Sequence, residues 1–173
     1  MKIRNTYCIV RFLFGNSVCA ILSWKTFTPA KVLFEPPYSV IDGTLLLNKG
    51  TYYLFHKEEE FGAKTGERRA IRLASSTNIE GPYRILEGPL NKGQIVPVIT
   101  EGPTAIKDPA KPGWLLLYDY CMTNRFGASY SPDLIQWKVE EDVNFPSEAR
   151  HGCVSIITSE EASALIEAYP VKK

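Results

Sequence analysis

A short polar motif returns three times along the chain, and it restricts the fold more than composition does. Asp42-Gly43, Glu101-Gly102 and His151-Gly152 each place a charged or titratable residue before glycine and an apolar run, at gaps of 59 and 50 residues. A second echo supports a repeat. The segment Ala74-Ser75-Ser76-Thr77-Asn78-Ile79-Glu80-Gly81-Pro82-Tyr83 recurs as Ala128-Ser129-Tyr130-Ser131-Pro132-Asp133-Leu134-Ile135-Gln136-Trp137, displaced by 54 to 55 residues. Ser23-Trp24-Lys25-Thr26-Phe27 is a fainter copy, since Trp24, Ile79 and Leu134 are each 55 residues apart. Periods of about 40 to 50 residues mark propeller blades, and loops allow a slightly longer unit.

Within each unit the pattern is that of strands and turns. From Thr44 it reads as a strand at Leu45 to Leu47, a turn at Asn48-Lys49-Gly50 and a strand from Thr51 to His56. Tyr52, Tyr53, Leu54 and Phe55 point apolar groups to both sides, which predicts a strand covered on both faces. The charged run Lys57 to Glu60, with Gly62 and Gly66, is expected as a loop before a strand from Ala70 to Ser75. The next unit repeats this with Thr104 to Lys107, Trp114 to Tyr118 and Gly127 to Tyr130, and a third begins with a strand at Cys153 to Ile157. A helix then replaces it. Thr158 and Glu161 form a capping box, Ala162, Leu165, Ile166 and Tyr169 make an apolar stripe, and Pro170 ends the ladder. The expected fold is therefore all-β: a partial β-propeller of four-stranded antiparallel blades with a short C-terminal helix.

The 173 residues suffice for one domain with a substantial core, at 45% apolar and 23% charged composition. A net charge of +1 without a basic stripe interleaved with aromatics argues against nucleic acid as a partner. No apolar stretch reaches the ~20 residues of a membrane span. Cys8, Cys19, Cys121 and Cys153 lack metal-ligand spacing, and the last two sit in strand-like segments, which favours buried thiols. Residues 1–23 stand apart from the partial propeller domain of 24–173. Lys2 and Arg4 precede the apolar Cys8 to Phe14, and Val18-Cys19-Ala20 imitates a signal-peptidase site. Arg11 interrupts that region, so an edge strand or damaged blade is the preferred reading; the expected location is secreted or periplasmic.

In a propeller the innermost strand of each blade starts near the central axis, so residues at blade starts converge on one funnel. Asp42, Glu101 and His151 would then meet, each next to a glycine that lets backbone and ligand approach. Two carboxylates and an imidazole around one concave site suit glycosidic cleavage, in which an acid protonates the leaving oxygen and a base activates water. Two similar dipeptides are set aside: Glu80-Gly81-Pro82 lies at the turn that Gln136-Trp137 occupies in the next unit, and Glu87-Gly88-Pro89 opens no apolar strand.

The residues also carry a resemblance. Phe27 to Phe34, Tyr38-Ser39-Val40-Ile41-Asp42-Gly43-Thr44, Tyr52 to Glu58, Thr100-Glu101-Gly102-Pro103, and Phe145-Pro146 with Ala149-Arg150-His151-Gly152 resemble glycoside hydrolase family 43, in order, from about Trp24 to the helix. The resemblance implies a five-bladed propeller glycosidase that inverts the anomeric centre and removes arabinose or xylose from plant polysaccharides. By position, Glu101 resembles the general acid, Asp42 the carboxylate that orients it and raises its pKa, and His151 the histidine at the funnel floor. Lys57, Asp119, Arg125 and Arg150 are further candidates for sugar hydroxyl contacts. No cofactor is expected, beyond a calcium ion that could sit near His151.

The family's general base is an aspartate at the start of the first blade. Here no aspartate precedes Asp42 and the only earlier acid is Glu35, in a Glu-Pro-Pro loop. Five units of this length would also outrun the chain. These points predict a truncated form with low or no activity, and open blade edges that favour self-association. A non-catalytic carbohydrate-binding module is the alternative, with Trp114, Tyr118 or Tyr120 as stacking surfaces. A protein-interaction propeller would need no converging acids.

Overall fold

The structure is a computed structural model that describes residues 17–18, 21–23, 26–27, 29, 31–60, 69–87, 94–140, 143, 145 and 152–169. Four short strands come first: β1 (Ser17–Val18), β2 (Ile21–Ser23), β3 (Thr26–Phe27) and β4 (Lys31–Val32). β1 pairs antiparallel with β4, and β2 with β3.

Two four-stranded antiparallel sheets follow, each with its strands in sequence order. The first holds β5 (Val40–Asn48), β6 (Thr51–Glu58), β7 (Ile71–Ser76) and β8 (Arg84–Ile85). The second holds β9 (Thr100–Lys107), β10 (Trp114–Tyr120), β11 (Arg125–Ser131) and β12 (Lys138–Glu140). These are two consecutive blades of a partial β-propeller.

Local chemistry fixes the blades. Asn48 faces Thr51 across a two-residue turn in which Lys49 (φ 47) and Gly50 (φ 82) are both left-handed. That conformation matches the twist of a hairpin. The 55-residue echo is a repeated turn device. Ser76 Oγ accepts from Asn78 N–H and Asn78 Oδ1 from Glu80 N–H. In the next blade Ser131 Oγ accepts from Asp133 and Leu134 N–H, and Asp133 Oδ1 from Ile135 and Gln136 N–H. These are the local side-chain bonds that turn a chain after a strand. An aromatic closes each turn: Tyr83 O–H donates to the Ile79 carbonyl and Trp137 Nε1–H to that of Leu134.

Alternation along β6 covers both faces, as the sequence predicts. Leu54 packs with Phe34, Ala74 and Tyr83 on one side, and Phe55 with Ile71, Leu73, Leu116, Tyr118, Leu134 and Trp137 on the other. The second cluster lies between the blades, where Phe55 meets Trp137 edge to face at 5.5 Å. It is the largest apolar burial among the described residues and fixes how the inner strands β5 and β9 sit side by side.

Three expectations are corrected. The run from Lys57 is no loop: β6 continues through Glu58, and Lys57, Glu58 and Glu59 are buried. Where a strand is expected at Cys153 to Ile157, residues 152–158 have no regular secondary structure and no ladder among the described residues, and Cys153 is exposed rather than buried. Among the described residues this segment has no hairpin partner, and the chain turns at once into α1 (Ser159–Ala168). The capping box of that helix is present in both directions, yet Leu165, Ile166 and Tyr169 of its apolar stripe are exposed. Among the described residues no helix is long and apolar enough to cross a membrane.

Candidate active site

The two inner strands carry the same irregularity at the same place. In the first blade Ile41 faces Lys57 and the next pair is Thr44 with Phe55; in the second Glu101 faces Asp119 and the next pair is Thr104 with Leu117. Each inner strand therefore holds one extra residue, a β-bulge, and the bulged residue is left-handed: Asp42 at φ 57 and Gly102 at φ 60. Bulges re-aim side chains and gather next to active sites. Aspartate is among the few residues that tolerate this conformation.

The bulges also set the true phase of the repeat. Asp42 corresponds to Gly102 and Ile41 to Glu101, so the two acids hold neighbouring positions rather than the same one. Aligning the Asp-Gly and Glu-Gly dipeptides shifts the units by one residue.

Side chains on the bulges tie one blade to the next. Gly102 N–H donates to Asp42 Oδ2 at 2.9 Å, and Thr44 Oγ1–H donates to the Pro103 carbonyl at 2.7 Å. Thr104, which takes the place of Thr44 in the second blade, accepts from Val154 N–H at 3.2 Å. The segment after His151 thus lies along β9 at the level where β9 lies along β5. His151 and Arg150 themselves fall outside the described residues.

Behind the bulges the charges are buried. Lys57 Nζ lies 2.7 Å from Glu59 Oε2 and 3.2 Å from Glu101 Oε2, with only 1% of the lysine side chain exposed against 13% for Glu101. Arg69 Nε donates to Glu59 Oε1 at 2.7 Å. Asp119 is fully buried opposite Glu101. Cys121 is half-buried beside the same group; burial pushes its thiol pKa up, Lys57 and Arg69 pull it down, and a hydrogen bond with Glu101 raises it further.

The opposite face of β6 holds a separate polar group. The geometry suits a neutral His56 whose Nδ1–H donates to the Leu54 carbonyl at 3.3 Å while Nε2 accepts from Tyr38 O–H at 3.0 Å. Glu58 pairs with Arg72, whose guanidinium lies 5.3 Å from the centre of the Tyr38 ring. Burial, the leading cause, holds the His56 pKa at about 4.

Asp42, Lys57, Glu101, Asp119 and Arg125 thus all come to one end of the two sheets. Two of the expected sugar contacts do not present surface there. Lys57 and Asp119 are buried, because their strands are covered on both faces. Arg125 is exposed, its guanidinium 5.3 Å from the centre of the Tyr120 ring. Of the stacking candidates, Tyr118 is fully buried, with its hydroxyl on the Ala128 carbonyl and Ser129, whereas Trp114 and Tyr120 are partly exposed. Glu59, Arg69 and Cys121 were missed among the candidates. Counting back from the Lys49-Gly50 turn places Lys57 beside Asp42, and that register is the signal that would have found the charged group. Among the described residues no three side chains are placed to hold a metal ion.

Solved structures resemble the chain at low identity. One, titled as a study of GH130 mannoside phosphorylases whose family contains hydrolases targeting β-1,2-mannosidic linkages in Candida mannan, is 11% identical with a TM-score of 0.52 over 72% of this chain and 39% of its own. A thermostable family-43 glycoside hydrolase is 14% identical (TM-score 0.49; 74% and 46%). The catalytic domain of the Coprinopsis cinerea GH62 α-L-arabinofuranosidase is 16% identical (TM-score 0.43; 61% and 33%). The chain thus spans less than half the length of each of these proteins. No curated protein matches it by sequence. Residues 17–163 match the profile of a family related to glycoside hydrolase family 43 and described as "Probable glycosyl hydrolase domain". With most of its length under that profile, the chain belongs to this glycosyl hydrolase domain family.

Proposed function

We propose that the site is that of an inverting glycosidase acting on arabinose- or xylose-containing polysaccharides or oligosaccharides, with Glu101 as general acid. One observation carries the reading: the Asp42 carboxylate accepts the Gly102 N–H at 2.9 Å, so the acid-bearing ends of two blades are locked together beside Glu101. In this role Asp42 holds the backbone that presents Glu101 and adds a negative charge near it. Glu101 is the most exposed carboxylate of the charge group and so the acid a leaving oxygen can reach. Arg125 and Tyr120, at the same end, supply a charged edge and an aromatic face for sugar.

The chain supplies the acid and its neighbour but no aspartate before Asp42, so alone it hydrolyses feebly or not at all. Loss of general-base assistance costs about 10² to 10⁴ in rate. That same gap favours a second reading, a carbohydrate-binding module in which these groups hydrogen-bond sugar hydroxyls.

Phenyl and 4-nitrophenyl arabinofuranosides and xylosides, incubated with azide, separate the two. Azide attacks the anomeric carbon without needing deprotonation, the aryl oxygen leaves with the electron pair, and Glu101 donates the proton that a phenyl leaving group needs. Glu101→Gln is expected to slow the phenyl substrates by about 10² to 10⁴ while changing the 4-nitrophenyl substrates little. Robust phenyl glycoside turnover untouched by the substitution removes Glu101 from this role. Oligosaccharide binding without any product, azide present, replaces catalysis with the binding reading.

A further inference from the structure

On its buried side Glu101 is met by a chain of alternating charge. Arg69 Nε donates to Glu59 Oε1, Glu59 Oε2 holds Lys57 Nζ, and that ammonium reaches on to Glu101 Oε2, at 2.7, 2.7 and 3.2 Å in turn. Both ends touch solvent, with Arg69 20% and Glu101 13% exposed, while Lys57 and Glu59 in the middle are each 1% exposed. A sugar arriving at Glu101 does not reach the lysine. Lys57 also sits closer to Glu59 than to Glu101, so Glu59 anchors the ammonium and Glu101 receives the longer contact.

We propose that Arg69, Glu59 and Lys57 act as a positioning chain for Glu101, holding its carboxylate in place and setting how readily it carries a proton. The proposal rests on the reading of Glu101 as the acid. A lysine paired with Glu101 alone would favour the carboxylate, which has no proton to give. With no lysine, Glu59 and Glu101 would face each other across a buried gap, an arrangement that strongly disfavours ionising both. Sharing one ammonium between two carboxylates, with Arg69 steadying the outer one, lies between these limits. Among the described residues, Asp42 on β5, bonded to the neighbouring Gly102 N–H, Asp119 on β10 and the Cys121 thiol also lie beside Glu101. They are left unchanged in the test.

The test is a carbon-13 titration of the Glu101 carboxyl in the full chain, its signal assigned with Glu101→Gln. Glu59→Gln gives Lys57 wholly to Glu101 and is expected to lower the midpoint; Lys57→Met removes the cation and is expected to raise it, each by about 1 to 3 pH units. Arg69→Gln, at the outer end, is expected to raise the midpoint by less and disturbs folding least, so it remains readable if either inner variant misfolds. Shifts in the same direction for Glu59→Gln and Lys57→Met, or an unmoved midpoint in Arg69→Gln, overturn the proposal. The titration reads no turnover. Opposed shifts together with phenyl glycoside rates indifferent to Glu101→Gln would therefore strike the acid assignment and leave the electrostatic coupling standing.

Discussion

At matching register the two blades fill the same positions with opposite chemistry. In the first, His56 on β6 faces Arg72 on β7; in the second, Tyr118 on β10 faces Gly127 on β11. Both central residues are fully buried. The first blade satisfies its pair with polar partners, namely Tyr38, the Leu54 carbonyl and Glu58. The second lays a phenol ring against a bare backbone, so close that a Cβ built on Gly127 would lie 2.5 Å from Tyr118 Cε2. The backbone plan is common to the two, bulge included, so blade geometry does not dictate where charge goes. One blade concentrates buried charge on both faces of a single strand, and the other is mainly aromatic and aliphatic away from Asp119.

The widest separation between the blades is expected from removing a buried charge. Glu58→Gln takes away the carboxylate that answers Arg72 in a place where both are buried. Breaking a buried ion pair by removing one partner costs about 3 to 5 kcal/mol. Urea denaturation should show that loss as a lower midpoint at unchanged slope. A change near zero would mean that water reaches Arg72, and would erase the contrast between the blades.

Acid should separate them next. His56 has a folded pKa of about 4, against about 6.5 for histidine in an unfolded chain. Between those values the unfolded chain binds the proton and the folded chain does not. Stability from keeping this ring neutral is thus fully present above pH ~6.5 and falls as pH drops toward ~4, by about 3 kcal/mol in all. Tyr118, at the same position in the second blade, is pushed upward from the usual tyrosine value by burial and does not titrate in this range. His56→Gln is expected to flatten the slope of stability against pH between ~6.5 and ~4. A slope unchanged by the substitution assigns the acid sensitivity elsewhere.

How far these differences can be read in the sequence depends on what kind of pattern encodes them. The Lys49-Gly50 turn, the two-faced β6 and the Ser-x-Asn and Ser-x-Asp turns are local, so residue type and spacing predict them, as they do the capping box of α1. The one-residue phase between Asp42 and Glu101 comes from a bulge, and a bulge is visible only when a strand is laid against its partner. Buried charge misleads in another way. A Lys-Glu-Glu-Glu run has the hydropathy of a solvated loop, and Lys57 and Glu59 are buried because Glu101 and Arg69 meet them from distant parts of the chain. The stripe on α1 shows the converse: helical spacing marks an apolar face without saying whether anything covers it.

The smallest expected effect tests the aromatic half of the comparison. At Gly127 the backbone needs no left-handed turn, so only space decides whether a side chain fits. An added methyl meets Tyr118 at 2.5 Å and Tyr120 at 2.8 Å, below any normal carbon contact. Tyr118 cannot swing aside cheaply, since its hydroxyl is held by the Ala128 carbonyl and Ser129 and its ring is packed in the core between the blades. Overpacking of this kind costs about 1 to 3 kcal/mol. Gly127→Ala should lower the denaturation midpoint by that amount. Gly127→Ala combined with Tyr118→Leu, which opens room over the strand, should cost less than the two changes separately, since residues in contact do not act additively. Strict additivity in that double-mutant cycle would mean the ring does not rest on the glycine, and the second blade would then need another explanation for carrying Gly127 where the first carries Arg72.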